Sequence, residues 1–210
     1  MTILGLILFG FILGSVPFGY LAGKIKGTDI REKGSGNIGA TNVIRCLGWK
    51  WGVPVFMLDM LKGYLPVAIA FMKSEGSGLP PDILAALTGF AAVLGHNFTP
   101  FLKFKGGKGV AASAGVLLAL MPLSFGPTIA IWAIVFAITR YISVASLSAA
   151  LALPIITAIL YIDRLSLIVI AAILGIFAFL RHHENIRRLH EGKELRISEK
   201  PKDKNPEPPK

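Results

Sequence analysis

The chain has 210 residues, of which 53% are hydrophobic and only 16% are charged, with a formal net charge of +10. This composition is too apolar for an ordinary soluble domain, so we expect an all-α integral membrane protein. The positive charge does not indicate a nucleic-acid partner, because it is confined to a few loops and the C-terminal tail. The single cysteine, Cys46, excludes an intrachain disulfide and is more typical of a packing residue than of a nucleophile.

Membrane helices are predicted from the apolar runs, because crossing a hydrocarbon core about 30 Å thick takes roughly 20 apolar residues. We predict about seven crossings, at residues 2–23, 51–73, 83–94, 110–121, 128–139, 144–161 and 165–180. The apolar start lacks a preceding basic segment and a following small-residue cleavage site, so we expect a retained helix and not a removed signal peptide. The third to fifth runs are short, which leaves tilted or re-entrant segments as alternatives.

Lysine and arginine fall in alternate loops, which predicts the orientation. Residues 24–50, 103–108, Arg140 and the tail from Arg181 are basic, whereas the turns at 74–82, 122–127 and 162–164 are neutral or slightly acidic. The positive-inside rule therefore puts the N-terminus outside and the C-terminus in the cytoplasm. We expect residues 1–195 to form one membrane domain and the proline-rich, charged residues 196–210 to be a disordered tail.

The polar loop 34–45 is the first candidate site. Its glycines allow a ligand to approach the backbone closely, and Arg45 presents a planar fork suited to phosphate or carboxylate. Compact hydrogen-bonding side chains accompany them, namely Ser35, Asn37, Thr41 and Asn42. These residue types predict an anion-binding loop at a membrane surface, with an ordinary connecting loop as the alternative.

A second polar segment covers residues 95–109 and contains Lys105-Gly106-Gly107-Lys108-Gly109. Successive glycines can form a nest of backbone N–H groups for an anion, and a helix starting near Val110 would add its dipole. The run is not a Walker A loop, because no serine or threonine follows Lys108. A basic loop touching lipid headgroups is the alternative. His96 in the same segment is compatible with either a structural or a binding role.

The third polar segment, 181–194, begins as the last predicted helix ends. His182 and Asn185 lie about one turn apart and would face the bundle together if the helix continued, although a structural histidine is the more common case. No metal-ligand spacing and no nucleophile elbow occurs, so we predict neither a metal nor a cofactor. Asp59 and Lys62, one turn apart in the second predicted helix, are expected to pair in the bundle interior.

Three anion-binding segments on one membrane face, above apolar helices that can hold an acyl chain, indicate chemistry on a lipid phosphate. A transporter for an organic phosphate is the first alternative, but its polar groups would lie nearer the bilayer midplane. A protein that only grips anionic lipids is the second, and it would not need three glycine-bearing motifs.

The chain contains three polar motifs in a fixed order, at residues 34–45, 95–109 and 182–194. Together they closely resemble the motifs of the PlsY family, the bacterial membrane glycerol-3-phosphate acyltransferases that use acyl phosphate. The resemblance covers roughly residues 1–195. The chain departs from the family's pattern at His183, where we would expect arginine. Like that family, it lacks the His-x-x-x-x-Asp motif of other acyltransferases, since Phe101 stands five residues after His96.

The resemblance implies acyl transfer from acyl phosphate to the 1-hydroxyl of glycerol 3-phosphate, giving lysophosphatidic acid and phosphate, without acyl-CoA or acyl carrier protein. It implies a multi-pass protein of the bacterial cytoplasmic membrane with its active site on the cytoplasmic face. The partners implied are the two substrates, membrane lipid and an enzyme that forms acyl phosphate, and not nucleic acid. No cofactor is implied.

Site roles are carried over by the same resemblance. Ser35 and Arg45 match phosphate ligands, Lys105 with the Gly106 and Gly107 amides matches a phosphate cradle, and His182 and Asn185 match residues that position glycerol 3-phosphate. These five side chains, Ser35, Arg45, Lys105, His182 and Asn185, are the predicted catalytic set. The predicted substrate-binding set is Gly34, Gly36, Asn37, Thr41, Asn42, His96, Gly106, Gly107, Lys108 and Ser143.

Overall fold

The computed structural model describes residues 2–197 and residue 199, and the described part is a bundle of helices. The helices are α1 (Ile3–Ser15), α2 (Phe18–Ile25), α3 (Ala40–Leu47), α4 (Trp49–Met72), α5 (Pro81–Asn97), α6 (Val110–Leu120), α7 (Pro122–Thr139), α8 (Ile142–Leu160), α9 (Leu165–Arg181) and α10 (His183–His190). The all-α part of the prediction is therefore confirmed for the described residues.

Five helical segments within the described chain are long and apolar enough to cross a membrane: Ile3–Ile25, Trp49–Met72, Pro81–Leu102, Pro122–Thr139 and Ile142–Leu160. A sixth is possible if α9 and α10, bent by 55° at their junction, count as one span, and α6 is a shorter apolar helix. The predicted apolar runs form helix, but the first, 2–23, is not one continuous helix. Val16 and Pro17 separate α1 from α2, because proline cannot continue the hydrogen-bond ladder of a helix. The number of crossings and the orientation stay predictions.

Two segments that we predicted as loops contain helix. Residues 122–127 were expected to be a turn, but α7 starts at Pro122, because proline at the first helical position lacks only an N–H that would be unpaired there anyway. The 24–50 loop likewise contains α3 (Ala40–Leu47). The prediction of a plain loop is wrong at both places.

Glycines bring the helices unusually close together. A Cβ added at Gly14 in α1 would lie 2.1 Å from the carbonyl oxygen of Ala92 in α5. A Cβ at Gly115 in α6 would lie 1.9 Å from the carbonyl oxygen of Met60 in α4. Small residues of this kind permit tight packing between membrane helices, where van der Waals contact replaces the hydrophobic driving force.

A break between α1 and α2 exposes backbone carbonyls inside the bundle, and polar side chains from α4 and from the segment after α5 satisfy them. Lys62 Nζ donates to the Val16 carbonyl oxygen at 2.7 Å, and Thr99 Oγ1 donates to the Ser15 carbonyl oxygen at 2.7 Å. Lys62 Nζ also lies 2.7 Å from Asp59 Oδ1, with both side chains about 2% exposed. The predicted Asp59–Lys62 pair is confirmed, and it also holds the break in place.

The C-terminal part of the chain folds back onto the bundle. Ile197 N–H donates to the Arg140 carbonyl oxygen at 3.3 Å, and the Arg196 guanidinium lies 5.3 Å from the centre of the Tyr141 ring. The first residues of the predicted tail therefore contact the α7–α8 turn. Most of that tail, residues 198 and 200–210, lies outside the described residues.

Candidate active site

A cavity of about 350 Å³ opens among α3, α4, α6, α7, α8 and the start of α10, and we call it the front cavity. Most of the predicted site side chains line it: Ser35, Asn37, Thr41, Asn42, Arg45, His96, Lys108, Ser143, His182 and Asn185. The predicted Lys105, Gly34, Gly36, Gly106 and Gly107 are not among the described residues that line it. The fold thus brings the three polar segments together at one end of the bundle.

The 34–45 loop has its shape fixed by Asn42, which is 1% exposed. Asn42 Oδ1 accepts from the Ser35 N–H at 2.9 Å, and Asn42 Nδ2 donates to the carbonyl oxygens of Ile30 and Lys33 at 2.9 and 3.1 Å. The amide of Asn42 is therefore occupied in holding the loop that carries Ser35. Gly34 and Gly36 serve the same loop, since their φ angles of 61° and 73° suit glycine.

Arg45 projects from α3 towards the C-terminal segment. Its Nη2 donates to the Leu195 carbonyl oxygen at 2.7 Å, a contact between residues 150 positions apart. Its Nε is buried and has no hydrogen-bond partner among the described residues. A buried guanidinium N–H without a partner is costly, so this atom is a candidate donor to a bound anion.

The glycine nest expected at residues 105–108 does not present its amides to the cavity. The Gly106 N–H donates to the Asn97 carbonyl oxygen at 3.1 Å, and the Gly107 N–H donates to the His96 carbonyl oxygen at 3.0 Å. These bonds satisfy carbonyls at the end of α5, which have no partner within the helix. Gly107 also packs against His96, because a Cβ there would lie 2.1 Å from its Nε2.

Lys108, and not Lys105, is the lysine of this loop that reaches the cavity. Lys105 is exposed, whereas Lys108 lines the cavity and its Nζ donates to Asn185 Oδ1. The first residues of α6, Val110 and Ala111, line the cavity beside Lys108, so the helix N-terminus faces it as expected. Burial, together with repulsion from Arg188, lowers the pKa of Lys108 to about 8.

Asn185 connects this cation to the Glu194 carboxylate, for which the sequence motifs predicted no role. Asn185 Nδ2 donates to Glu194 Oε1 at 2.6 Å, and Arg188 Nε donates to Glu194 Oε2 at 2.8 Å. Burial alone would raise the pKa of Glu194, but these hydrogen bonds and the Arg188 charge lower it, so the group is ionised at neutral pH. Its position nine residues after Asn185, across a Gly192 turn, concealed this pairing in the sequence.

The histidines of the cavity occupy different environments. His182 Nδ1 lies 2.7 Å from the Ala178 carbonyl oxygen. Since a carbonyl only accepts, Nδ1 carries the proton, and Nε2 of the neutral ring is an acceptor. His96 is 4% exposed and its Nδ1 lies 3.6 Å from Asp59 Oδ1, so it extends the buried Asp59–Lys62 pair to the cavity wall.

Away from the polar end, the walls of the front cavity are apolar. The side chains there include Val53, Phe56, Ile129, Trp132 and Phe136. Trp132 stacks on Phe136 with ring centres 5.2 Å apart, and its Nε1–H donates to Ser146 Oγ at 3.2 Å. The cavity therefore combines a cationic end with apolar walls, as a site for an amphiphile with an anionic head requires.

The fold and this cavity define a class: integral membrane proteins whose helices enclose a site with one polar, cationic end and one apolar end. A sequence profile of the family described as Glycerol-3-phosphate acyltransferase matches residues 4–192. The chain therefore belongs to the glycerol-3-phosphate acyltransferase family. Its placement among membrane acyltransferases, predicted from the three motifs, is confirmed.

Individual relatives support the same family assignment. The chain is 46% identical over 189 residues to the glycerol-3-phosphate acyltransferase of Geotalea daltonii, covering 90% of this chain and 94% of that protein. It is 42% identical over 201 residues to the glycerol-3-phosphate acyltransferase of Aquifex aeolicus, covering 94% and 100%.

Two crystal structures have the same fold. Both are of PlsY (YgiH), an integral membrane glycerol 3-phosphate acyltransferase. The glycerol 3-phosphate form has a TM-score of 0.83 at 42% identity, and the lysophosphatidic acid form has a TM-score of 0.81 at 41% identity. Each comparison covers 92% of this chain and 94% of the other.

Proposed function

We propose that this protein transfers a fatty acyl group from acyl phosphate to the 1-hydroxyl of glycerol 3-phosphate, giving lysophosphatidic acid and inorganic phosphate. The observation that carries the proposal is the front cavity, whose cationic end and apolar walls match an acyl phosphate lying with its head between Arg45 and Lys108. The PlsY relatives, with forms described for glycerol 3-phosphate and for lysophosphatidic acid, supply the acceptor and the product.

We propose that two cations of the cavity, Arg45 and Lys108, bind the phosphate groups of the two substrates. Arg45 offers its Nε, which has no partner within the described part of the chain, and Lys108 offers its ammonium next to the N-terminus of α6. Ser35 hydroxyl, His182 Nε2 and the Asn185 amide are the remaining polar groups proposed to orient glycerol 3-phosphate. Ser143 lines the same end of the cavity, close to Glu194.

The proposed reaction needs no covalent acyl-enzyme. The acceptor hydroxyl oxygen forms a bond to the acyl carbonyl carbon, and the bond between that carbon and the phosphate oxygen breaks. The hydroxyl proton passes to an oxygen of the leaving phosphate, so atoms and charge balance. Acyl phosphate already carries a good leaving group, so aligned substrates and preorganised donors supply most of the acceleration.

The proposed setting is the bacterial cytoplasmic membrane, with the front cavity on the cytoplasmic side. Three of the basic segments, 24–50, 103–108 and the chain from Arg181, contribute residues to the lining of the front cavity, which supports that orientation. The donor would then come from an enzyme that forms acyl phosphate at the same membrane face. We propose residues 1–195 as the catalytic unit, with contacts from Arg196 and Ile197 closing its edge.

The test is an assay of the purified protein with labelled glycerol 3-phosphate and acyl phosphate as the sole donor. We expect lysophosphatidic acid and inorganic phosphate in equal amounts, with no product from acyl-CoA. Transfer from acyl-CoA alone would overturn the proposed donor, and absence of lysophosphatidic acid with any donor would overturn the activity. An acyl adduct on Ser35 or Cys46, found by mass spectrometry during turnover, would overturn the non-covalent route.

Substituting Arg45→Lys is expected to raise the KM for a phosphate substrate about 10- to 100-fold while leaving the fold intact. Lysine keeps the charge but loses the planar fork, and a hydrogen bond to a charged group contributes roughly 1.5–3 kcal/mol. Steady-state kinetics on each substrate in turn measures the effect. Arg187→Lys is the matched control, because the Arg187 side chain is 72% exposed. Equal KM values for the two variants would show that Arg45 is not a bidentate ligand.

The pH dependence follows from Lys108. Because its pKa is lowered to about 8, its positive charge is lost as the pH rises through that value, so kcat/KM for glycerol 3-phosphate is expected to fall above pH 8. The contribution of Lys108 to the free energy of unfolding has the opposite pH dependence. In the unfolded chain the lysine pKa is about 10.4, so between pH 8 and 10.4 the unfolded chain binds more protons than the folded chain. The free energy of unfolding therefore rises with pH in this range.

The comparison variant for this pH profile is Lys108→Arg, whose guanidinium stays protonated throughout the range. Activity that this variant retains should no longer fall near pH 8. An unchanged descending limb would assign the titration to another group. Thermal unfolding measured at each pH separates loss of charge from loss of fold.

A further inference from the structure

A second cavity, of about 90 Å³, lies behind the front cavity between α6, α7, α8 and α9, and we call it the back cavity. Among the described residues that line it, Lys108 alone is charged, and it stands at the end shared with the front cavity. The residues common to both cavities are Lys108, Val110, Ala114, Ile129, Trp132 and Ser146. The two cavities therefore meet along one wall.

The back cavity points away from the polar end of the molecule. Its lining runs along α6 from Val110 to Leu117 and along α8 from Ser146 to Leu153. Seven residues of helix span about 10 Å. It also runs back along α9 from Ala178 to Leu174. Each of these directions leads from the cationic end towards the hydrophobic core, to which Leu117, Leu153 and Leu174 belong.

The shape and chemistry of this space exclude a polar occupant. Beyond Lys108, its lining consists of aliphatic and aromatic side chains with a few hydroxyls, and Thr128 Oγ1 is buried without a partner among the described residues. Beyond Lys108, a second phosphate would meet only these few hydroxyls, which are too few to replace its hydration. An alkyl chain that enters from the front cavity has no hydrogen bonds to give up, so its transfer from lipid or water into this apolar space carries no desolvation penalty.

We propose that the back cavity receives the distal end of the donor's acyl chain, so that its depth sets the chain-length preference of the enzyme, with Trp132 and Ser146 forming the passage into it. This inference rests on the proposed function for the identity of the amphiphile. The hydrogen bond from Trp132 Nε1 to Ser146 Oγ, at 3.2 Å, fixes the indole at the junction of the two cavities. Ala149 is one of several small residues beyond that junction, and it lines the back cavity but not the front cavity.

The test fills the back cavity without touching the polar end. Ala149→Leu is expected to shift the preference towards shorter acyl phosphates. For a long-chain acyl phosphate, each methylene group that no longer fits in the back cavity lowers kcat/KM about four-fold, and two such groups lower it roughly 15-fold. The measurement is kcat/KM for a series of acyl phosphates of increasing length. Ala133→Leu adds the same group to an exposed position on α7 and should leave the series unchanged.

A second readout is independent of activity. A fatty acid carrying a photoreactive diazirine near its methyl end should label α7 or α8 peptides from the back cavity, and Ala149→Leu should reduce this labelling while Ala133→Leu should not. Labelling confined to lipid-facing positions in all three proteins, or a chain-length series that Ala149→Leu leaves unshifted, would overturn the inference. Labelling of the back cavity in a protein that makes no lysophosphatidic acid would refute the proposed function and leave the chain site standing.

Discussion

Replacing Lys108 by methionine is expected to lower kcat about 10²- to 10³-fold at pH 7, which is the effect of removing one preorganised donor from a site of developing charge. Methionine keeps the length of the side chain and removes the ammonium that contacts Asn185. Its apolar end also suits the walls that Lys108 shares with the back cavity. The measurement is initial rate at saturating glycerol 3-phosphate and acyl phosphate.

The control for this prediction is Lys105→Met in the same loop. Sequence similarity assigned the phosphate cradle to Lys105, but this side chain is exposed and outside the cavity lining, so its loss is expected to change kcat by less than about three-fold, within the range of surface substitutions. A large loss for Lys105→Met with near-normal activity for Lys108→Met would reverse the assignment.

The second large effect concerns stability. Substituting Lys62→Met alone is expected to destabilise the protein by about 3–5 kcal/mol, because it leaves the buried Asp59 carboxylate without its cation. The same change leaves the Val16 carbonyl at the α1–α2 break without the Lys62 donor. Denaturant titration of the protein in detergent measures the free energy of unfolding.

Two further variants show whether pairing is the cause. The double variant Asp59→Asn with Lys62→Met removes both charges, and we expect it to be more stable than Lys62→Met alone. Lys73→Met, at an exposed position after α4, is the surface control and should change stability by less than about 0.5 kcal/mol. A double variant that is no more stable than Lys62→Met alone would contradict an energetic coupling between Asp59 and Lys62.

Composition and local patterning predicted the class of the protein. The apolar runs were long enough to define helices because hydropathy acts over many residues and tolerates errors at the ends. The three polar segments stood out by contrast with these runs, and their family resemblance identified the chemistry. Helix ends were less well predicted, as at Pro122, because a proline is compatible with both a turn and a first helical position.

Within the site, residue types alone did not predict which groups face the cavity. The amides of Gly106 and Gly107 satisfy the end of α5, and the side chain of Asn42 holds its own loop. Both outcomes depend on where buried carbonyls need partners, which is a property of the assembled fold. The same holds for Glu194, whose partners Asn185 and Arg188 are reached only after the chain turns at Gly192.

By itself, then, the sequence determined that the protein is a helical membrane acyltransferase with three polar segments at one end, because hydrophobicity and motif chemistry are local properties. Only the tertiary structure decided that Lys108 and not Lys105 reaches the cavity, that Arg45 binds a carbonyl 150 positions away, and that a back cavity lies beyond Trp132. Side-chain direction and enclosed space arise from helices packing against one another. No single stretch of the chain specifies them.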